Sequence, residues 1–145
     1  MQKITQKSKT IYGLKVRTKN ENEMNPQTAK IGQMWGEYFS SIAPTLAQGT
    51  ERYGVYTNYE SDAFGEFDVS AGSTVENAAL EKVTLEAGNY LCFKADGELP
   101  QAVIDTWGEI WAYFADENCK EKRTYKTDYE LYLSESEAEI YIGVE

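Results

Sequence analysis

Histidine is missing altogether from this chain. Its absence removes every histidine-dependent triad, and with it the commonest metal ligand and the commonest acid or base working near neutrality. Cysteine is nearly absent too: Cys92 sits in an apolar run and Cys119 in a charged stretch, with neither CxxC nor metal-site spacing between them. That pattern fits a reducing compartment and implies no metal and no cofactor. Positive charge is scarce, with 14 Lys and Arg against 24 Asp and Glu, a net charge of −10 and an isoelectric point near 4.6. A surface that tracked nucleic-acid phosphates would need clustered basic residues, so direct nucleic-acid binding is not expected. The densest basic run, Lys120-Glu121-Lys122-Arg123, is interrupted by acid and reads as a solvated loop. No apolar run approaches the length of a membrane span, and Met1–Thr10 lacks the apolar core of a signal peptide. The expectation is a cytoplasmic protein with no membrane partner.

What is present is an aromatic, foldable chain. Its 145 residues, 41% hydrophobic and 13% aromatic, fit one domain spanning 1–145 with a real core. Ile11, Leu14 and Val16 suggest a first strand over Lys9–Arg17. After a polar loop from Lys19 to Pro26, Asn25 as N-cap and Pro26 at the first helical position would start a helix. That helix carries Ile31, Trp35, Tyr38, Phe39 and Ile42 on one stripe and ends at Pro44. Tyr53–Tyr59 and Phe64–Val69 read as a strand pair joined by Glu60–Ala63, and Ala71–Ala79 as the link between two halves. Lys82–Leu85 is a further strand candidate. In the second half, Tyr90–Phe93 and Ala95 form a buried strand that Gly97 ends. A helix after Pro100 bears Val103, Trp107, Ile110, Trp111 and Phe114. Lys120–Lys126 reads as a charged connection, followed by strands at Asp128–Leu133 and Glu139–Val144.

The halves match in wording as well as order. Met34-Trp35-Gly36-Glu37 aligns with Thr106-Trp107-Gly108-Glu109, and Thr57-Asn58-Tyr59-Glu60 with Thr127-Asp128-Tyr129-Glu130, at offsets of 72 and 70 residues. A duplicated β-α-β-β unit follows, repeat one about 9–72 and repeat two about 83–145. The period is too long for a solenoid. The expected architecture is α+β, with pseudo-twofold symmetry and two long helices on one face of an antiparallel sheet. The seam between the halves is the natural place for a cleft.

One stretch concentrates the chemistry. In Tyr125-Lys-Thr-Asp-Tyr-Glu-Leu-Tyr132, strand alternation sends Asp128, Glu130 and Tyr132 to one face and Thr127, Tyr129 and Leu131 to the other. If the acidic face looks into a cavity, burial raises the pKa of Glu130 and makes a cation its natural partner.

The motifs Gly88-Asn-Tyr-Leu-Cys-Phe93, Ile104-Asp-Thr-Trp-Gly-Glu-Ile-Trp111, Asp128-Tyr-Glu-Leu-Tyr132 and Ile140-Tyr-Ile-Gly-Val144, in that order, resemble the GyrI-like effector-binding family. That family includes the ligand domains of multidrug-responsive transcription regulators and free-standing proteins carried on integron cassettes, and this chain is most like the latter. The resemblance covers about Tyr53 to the end. It implies a duplicated βαββ fold with an aromatic pocket for lipophilic cations, and assigns the charge-meeting glutamate to Glu130. Gly143 departs from the pattern, standing where a proline is common. Trp35, Trp107, Trp111, Tyr59, Tyr90 and Tyr132 are the candidates for the aromatic box, each cation–π contact contributing roughly 0.5 to 2 kcal/mol. The expected function is non-catalytic binding of lipophilic, drug-like cations. The alternatives are a small-molecule hydrolase using Glu130, or an acidic, gyrase-inhibitor-like protein whose partner is a topoisomerase or a regulator.

Overall fold

The computed structural model describes residues 2–145. Eight strands form one antiparallel sheet: β1 (Gln2–Gln6), β2 (Lys9–Thr18), β3 (Arg52–Thr57), β4 (Phe67–Ser73), β5 (Glu81–Leu85), β6 (Gly88–Asp96), β7 (Arg123–Tyr132) and β8 (Glu137–Val144). The helices are a short α1 (Asn20–Glu23), α2 (Ile31–Glu37), and α3 (Gln101–Ala115). Helix α2 runs on through a wide π turn at Tyr38–Ile42 and a tight turn at Ala43–Thr45.

The duplication is visible in the strand order β1-β6-β8-β7-β3-β4-β2-β5. Exchanging β1 with β5, β2 with β6, β3 with β7 and β4 with β8 reverses this order onto itself, so the pseudo-twofold axis passes between β3 and β7. The two ends of the sheet are arms of one bent ribbon. Gln6 lies opposite Gly88 and Lys9 opposite Leu85, on a continuous register through the β1–β2 and β5–β6 connections.

Alternation then sorts the sheet's side chains onto two faces. On one, α3 lays Val103 and Ile110 against Leu91, Phe93, Ile140 and Ile142, while α2 and its extension lay Met34, Tyr38 and Ile42 against Phe67, Val69 and Ala71. On the other, Ile11, Val55, Leu85, Tyr90, Tyr129 and Tyr141 pack together, with Ile4 of β1 against them. Residues from both ends of the sheet meet in this second cluster because the sheet curls. Fully buried aliphatics such as Ile110, Ile140 and Ile142 stabilise the fold by about 1.5 to 3 kcal/mol each.

Several sequence expectations change. The helix predicted from Asn25 begins at Ile31, because the orphan N–H groups of Lys30 and Ile31 donate to the distant Glu23 carboxylate. Asn25 instead accepts from the Gln27 N–H in a turn. Part of the expected polar loop is α1, and Gln2–Gln6 is a strand. The second strand of the first pair starts at Phe67 and runs to Ser73, beyond the expected Val69. The charged connection is shorter than expected, since β7 already begins at Arg123.

Candidate ligand-binding site

Strand β7 lies at the seam, paired with β3 of the other half. Its alternation points Asp128, Glu130 and Tyr132 toward the helices, and Glu130 faces Gly54 across the ladder. A Cβ at Gly54 would stand 2.8 Å from Glu130 Oε1 and 3.2 Å from Trp35 Cζ2. The missing side chain is the space that the carboxylate and the indole occupy.

Glu130 is 4% exposed. Tyr56 and Trp107 donate to its Oε2 at 2.9 and 2.7 Å, and Tyr132 donates to Oε1 at 2.7 Å. All three donors are neutral, and none of the ion pairs among the described residues reaches Glu130. Burial pushes its carboxyl above the ordinary value, and the three hydrogen bonds oppose that rise without cancelling it. The same cage pushes the Tyr56 and Tyr132 hydroxyls up, first by burial and then by the adjacent carboxylate.

Asp128, two residues back on the same face, is 0% exposed. Arg123 Nη2 donates to its Oδ2 at 2.7 Å, Tyr59 donates to the same oxygen, and the Gly143 N–H donates to Oδ1 at 2.8 Å. A proline at 143 could not make that last bond, which gives the departure from the family pattern a local role. Gly143 is also sterically required, since a Cβ there would lie 2.6 Å from the Thr127 carbonyl oxygen.

A cavity of about 300 Å³ opens beside these carboxylates, between α3 and the α1 and 58–66 segments. Tyr56, Tyr59, Phe67, Trp107 and Trp111 give it aromatic walls, and Arg123, Asn20 and Glu23 give it polar ones. Glu130 stands behind the wall, touching the cavity through the Tyr56 and Trp107 groups that hydrogen-bond it.

Of the residues singled out from sequence, the structure brings Trp107, Trp111 and Tyr59 to the cavity and places Glu130 directly behind it. Trp35 and Tyr132 pack edge to face, ring centroids 5.5 Å apart, on the Gly54 side of the carboxylate. Tyr90 is on the opposite face of the sheet, where its hydroxyl donates to the Glu86 carbonyl. Glu60, aligned with Glu130 in the repeat, falls past the end of β3 in an exposed loop and is not its spatial counterpart. Tyr56, Phe67, Glu23 and Arg123 were not anticipated. Alternation from Gly54 would have found Tyr56, whereas Arg123 carried only the signature of a charged loop.

This duplicated fold, with a buried carboxylate and an aromatic cavity at its seam, defines an effector-binding domain. The family model described as integron-associated effector binding protein matches residues 4–144, and the chain belongs to that family. An integron cassette protein from the mobile metagenome of Vibrio cholerae superposes with a TM-score of 0.92 at 43% identity, over 99% of this chain and 95% of that one. The putative transcriptional regulator protein YobU of Bacillus subtilis (strain 168) is 28% identical over 133 residues, 86% of this chain and 81% of that protein. The fold is shared with SAV2435, solved bound to tetraphenylphosphonium, at a TM-score of 0.75 and 21% identity over 99% of this chain and 93% of that one. Among the described residues no helix is long and apolar enough to cross a membrane, and no cluster of acidic or cysteine side chains is arranged to hold a metal.

Proposed function

We propose that this protein binds lipophilic organic cations in the seam cavity, with Glu130 as the counter-charge. The observation that carries the reading is a buried carboxylate whose every close partner is neutral. Such a group is penalised when ionised, and a cation seated against Tyr56 and Trp107 relieves that penalty through a low-dielectric wall. Delocalised or quaternary cations are favoured because they are cheap to desolvate and the cavity walls are mainly aromatic and apolar, with Asn20 and Glu23 as the side-chain oxygen donors at its polar edge. A cavity of this size sits at the lower end of drug-sized pockets. The tetraphenylphosphonium held by SAV2435 is a ligand of this chemical class.

The test is direct titration of tetraphenylphosphonium and of its neutral tetraphenyl-carbon analogue, followed through the intrinsic tryptophan fluorescence. Saturable quenching by the cation, with little response to the neutral compound, is the expected outcome. Equal responses, or none, would remove Glu130 from the role of counter-charge.

A further inference from the structure

The cavity has a second pole that a simple cation leaves unused. Arg123 forms part of its wall, yet its side chain is only 6% exposed. The guanidinium is stacked over Tyr125 with its carbon 4.5 Å from the ring centroid, and lies 5.7 Å from that of Phe114. Nη2 is engaged by Asp128, whereas Nε is buried with no hydrogen-bond partner. Arginine carries five N–H donors in a rigid fork, so this one retains donor capacity that the protein does not use.

The backbone around it is irregular. Between Arg123 and Asp128 the β7–β8 register slips, Tyr125 adopts φ +52°, and Gly143 alone admits the Thr127 carbonyl. A left-handed non-glycine residue inside a bulge is strain of the kind held at functional sites, and bulges re-aim side chains there.

Resting on the cation reading above, we infer that the Arg123 corner is a subsite for a neutral hydrogen-bond acceptor, so that the cavity selects lipophilic cations bearing a carbonyl group. The acceptor is neutral because Asp128 already balances the arginine charge. A carboxylate would bring an unbalanced negative charge close to Glu130 and Glu23. Asp128, which holds Arg123, and Glu130 are two residues apart on β7, about 7 Å along the strand. The carbonyl oxygen of a para-acetyl group on one ring of a tetraarylphosphonium has a comparable reach from the phosphorus.

The experiment compares tetraphenylphosphonium with the same cation carrying a para-acetyl group on one ring, by calorimetric titration. Wild type binds the acetyl compound about tenfold more tightly. In Arg123→Lys, which keeps a positive charge on Asp128 but loses the fork, the two compounds bind with equal affinity and the preference disappears. In Glu130→Gln both compounds weaken by the same factor and the preference stays. Equal affinities in wild type, or a preference that survives Arg123→Lys, would overturn the subsite while leaving the cation reading intact. Failure of both compounds to bind folded wild type would overturn the two together. Should Arg123→Lys not fold by its thermal transition, the paired change of Arg123→Gln with Asp128→Asn replaces it and must abolish the preference in the same way.

Discussion

Asp128 and Glu130 share a strand, a face and near-complete burial, yet the protein treats their charges in opposite ways. Asp128 is closed off internally by a guanidinium, a phenol and a backbone N–H. Glu130 is held by one indole and two phenols, which hydrogen-bond a carboxylate without neutralising it. The difference teaches that burial alone does not mark a binding carboxylate. A buried charge with an internal counter-ion is part of the architecture, whereas a buried carboxylate held only by neutral donors is the feature on which the proposed cation binding rests.

The comparison breaks most visibly on the architectural side. Arg123→Met strands the Asp128 carboxylate, and should lower unfolding free energy by about 3 to 5 kcal/mol, measured by chemical denaturation. If the loss matched that of an ordinary surface pair, below about 1 kcal/mol, Asp128 would not depend on its partner as described. Next in size is Gly54→Ala, whose methyl group collides with Glu130 Oε1 and the Trp35 ring. It should cost about 1 to 3 kcal/mol of stability and also weaken cation binding, because the carboxylate must move. Stability lost without any loss of affinity would place the carboxylate outside the binding event.

Glu130→Gln sharpens the contrast, since the amide fits the cage: its oxygen accepts from Tyr56 and Trp107, and its NH2 group donates to the rotatable Tyr132 hydroxyl. Cation affinity should fall more than tenfold, about 1.4 kcal/mol, while the thermal midpoint holds or rises. The smallest effect is on pH dependence. Because the folded-state carboxyl of Glu130 titrates above its ordinary value, its stabilising contribution is full below the unfolded pKa and is lost as pH rises through the folded one. The proposed cation affinity should run the other way, growing as Glu130 ionises. Stability curves of wild type and Glu130→Gln across acid to neutral pH should therefore converge at the acid end and separate above it.

Much of this was legible from residue order. The stripe Val103 to Phe114 after Pro100 gave α3 close to its observed limits, and period-two alternation put Asp128 and Glu130 on one common face, which the structure turns toward the helices. Other features lacked a local signal. Gln2–Gln6 has a single apolar residue and becomes a strand by pairing with β6. Tyr90 lies in a continuous apolar run, Tyr90–Phe93, whose pattern does not say which face meets the helices. Glu23 caps α2 from seven and eight residues before its N–H partners, outside any capping motif. Arg123 looked like solvated charge because the bulge that buries it is a property of the β7–β8 ladder and not of the run Lys120–Arg123.

The most direct test of the central claim is a double comparison in one titration series: tetraphenylphosphonium and its neutral carbon analogue against wild type and Glu130→Gln. Micromolar quenching of tryptophan fluorescence by the cation alone, weakened more than tenfold by the substitution while the neutral compound is unaffected, is the predicted result. Cation affinity unchanged in a folded Glu130→Gln protein would contradict the claim that the unpaired carboxylate is the ligand's counter-charge.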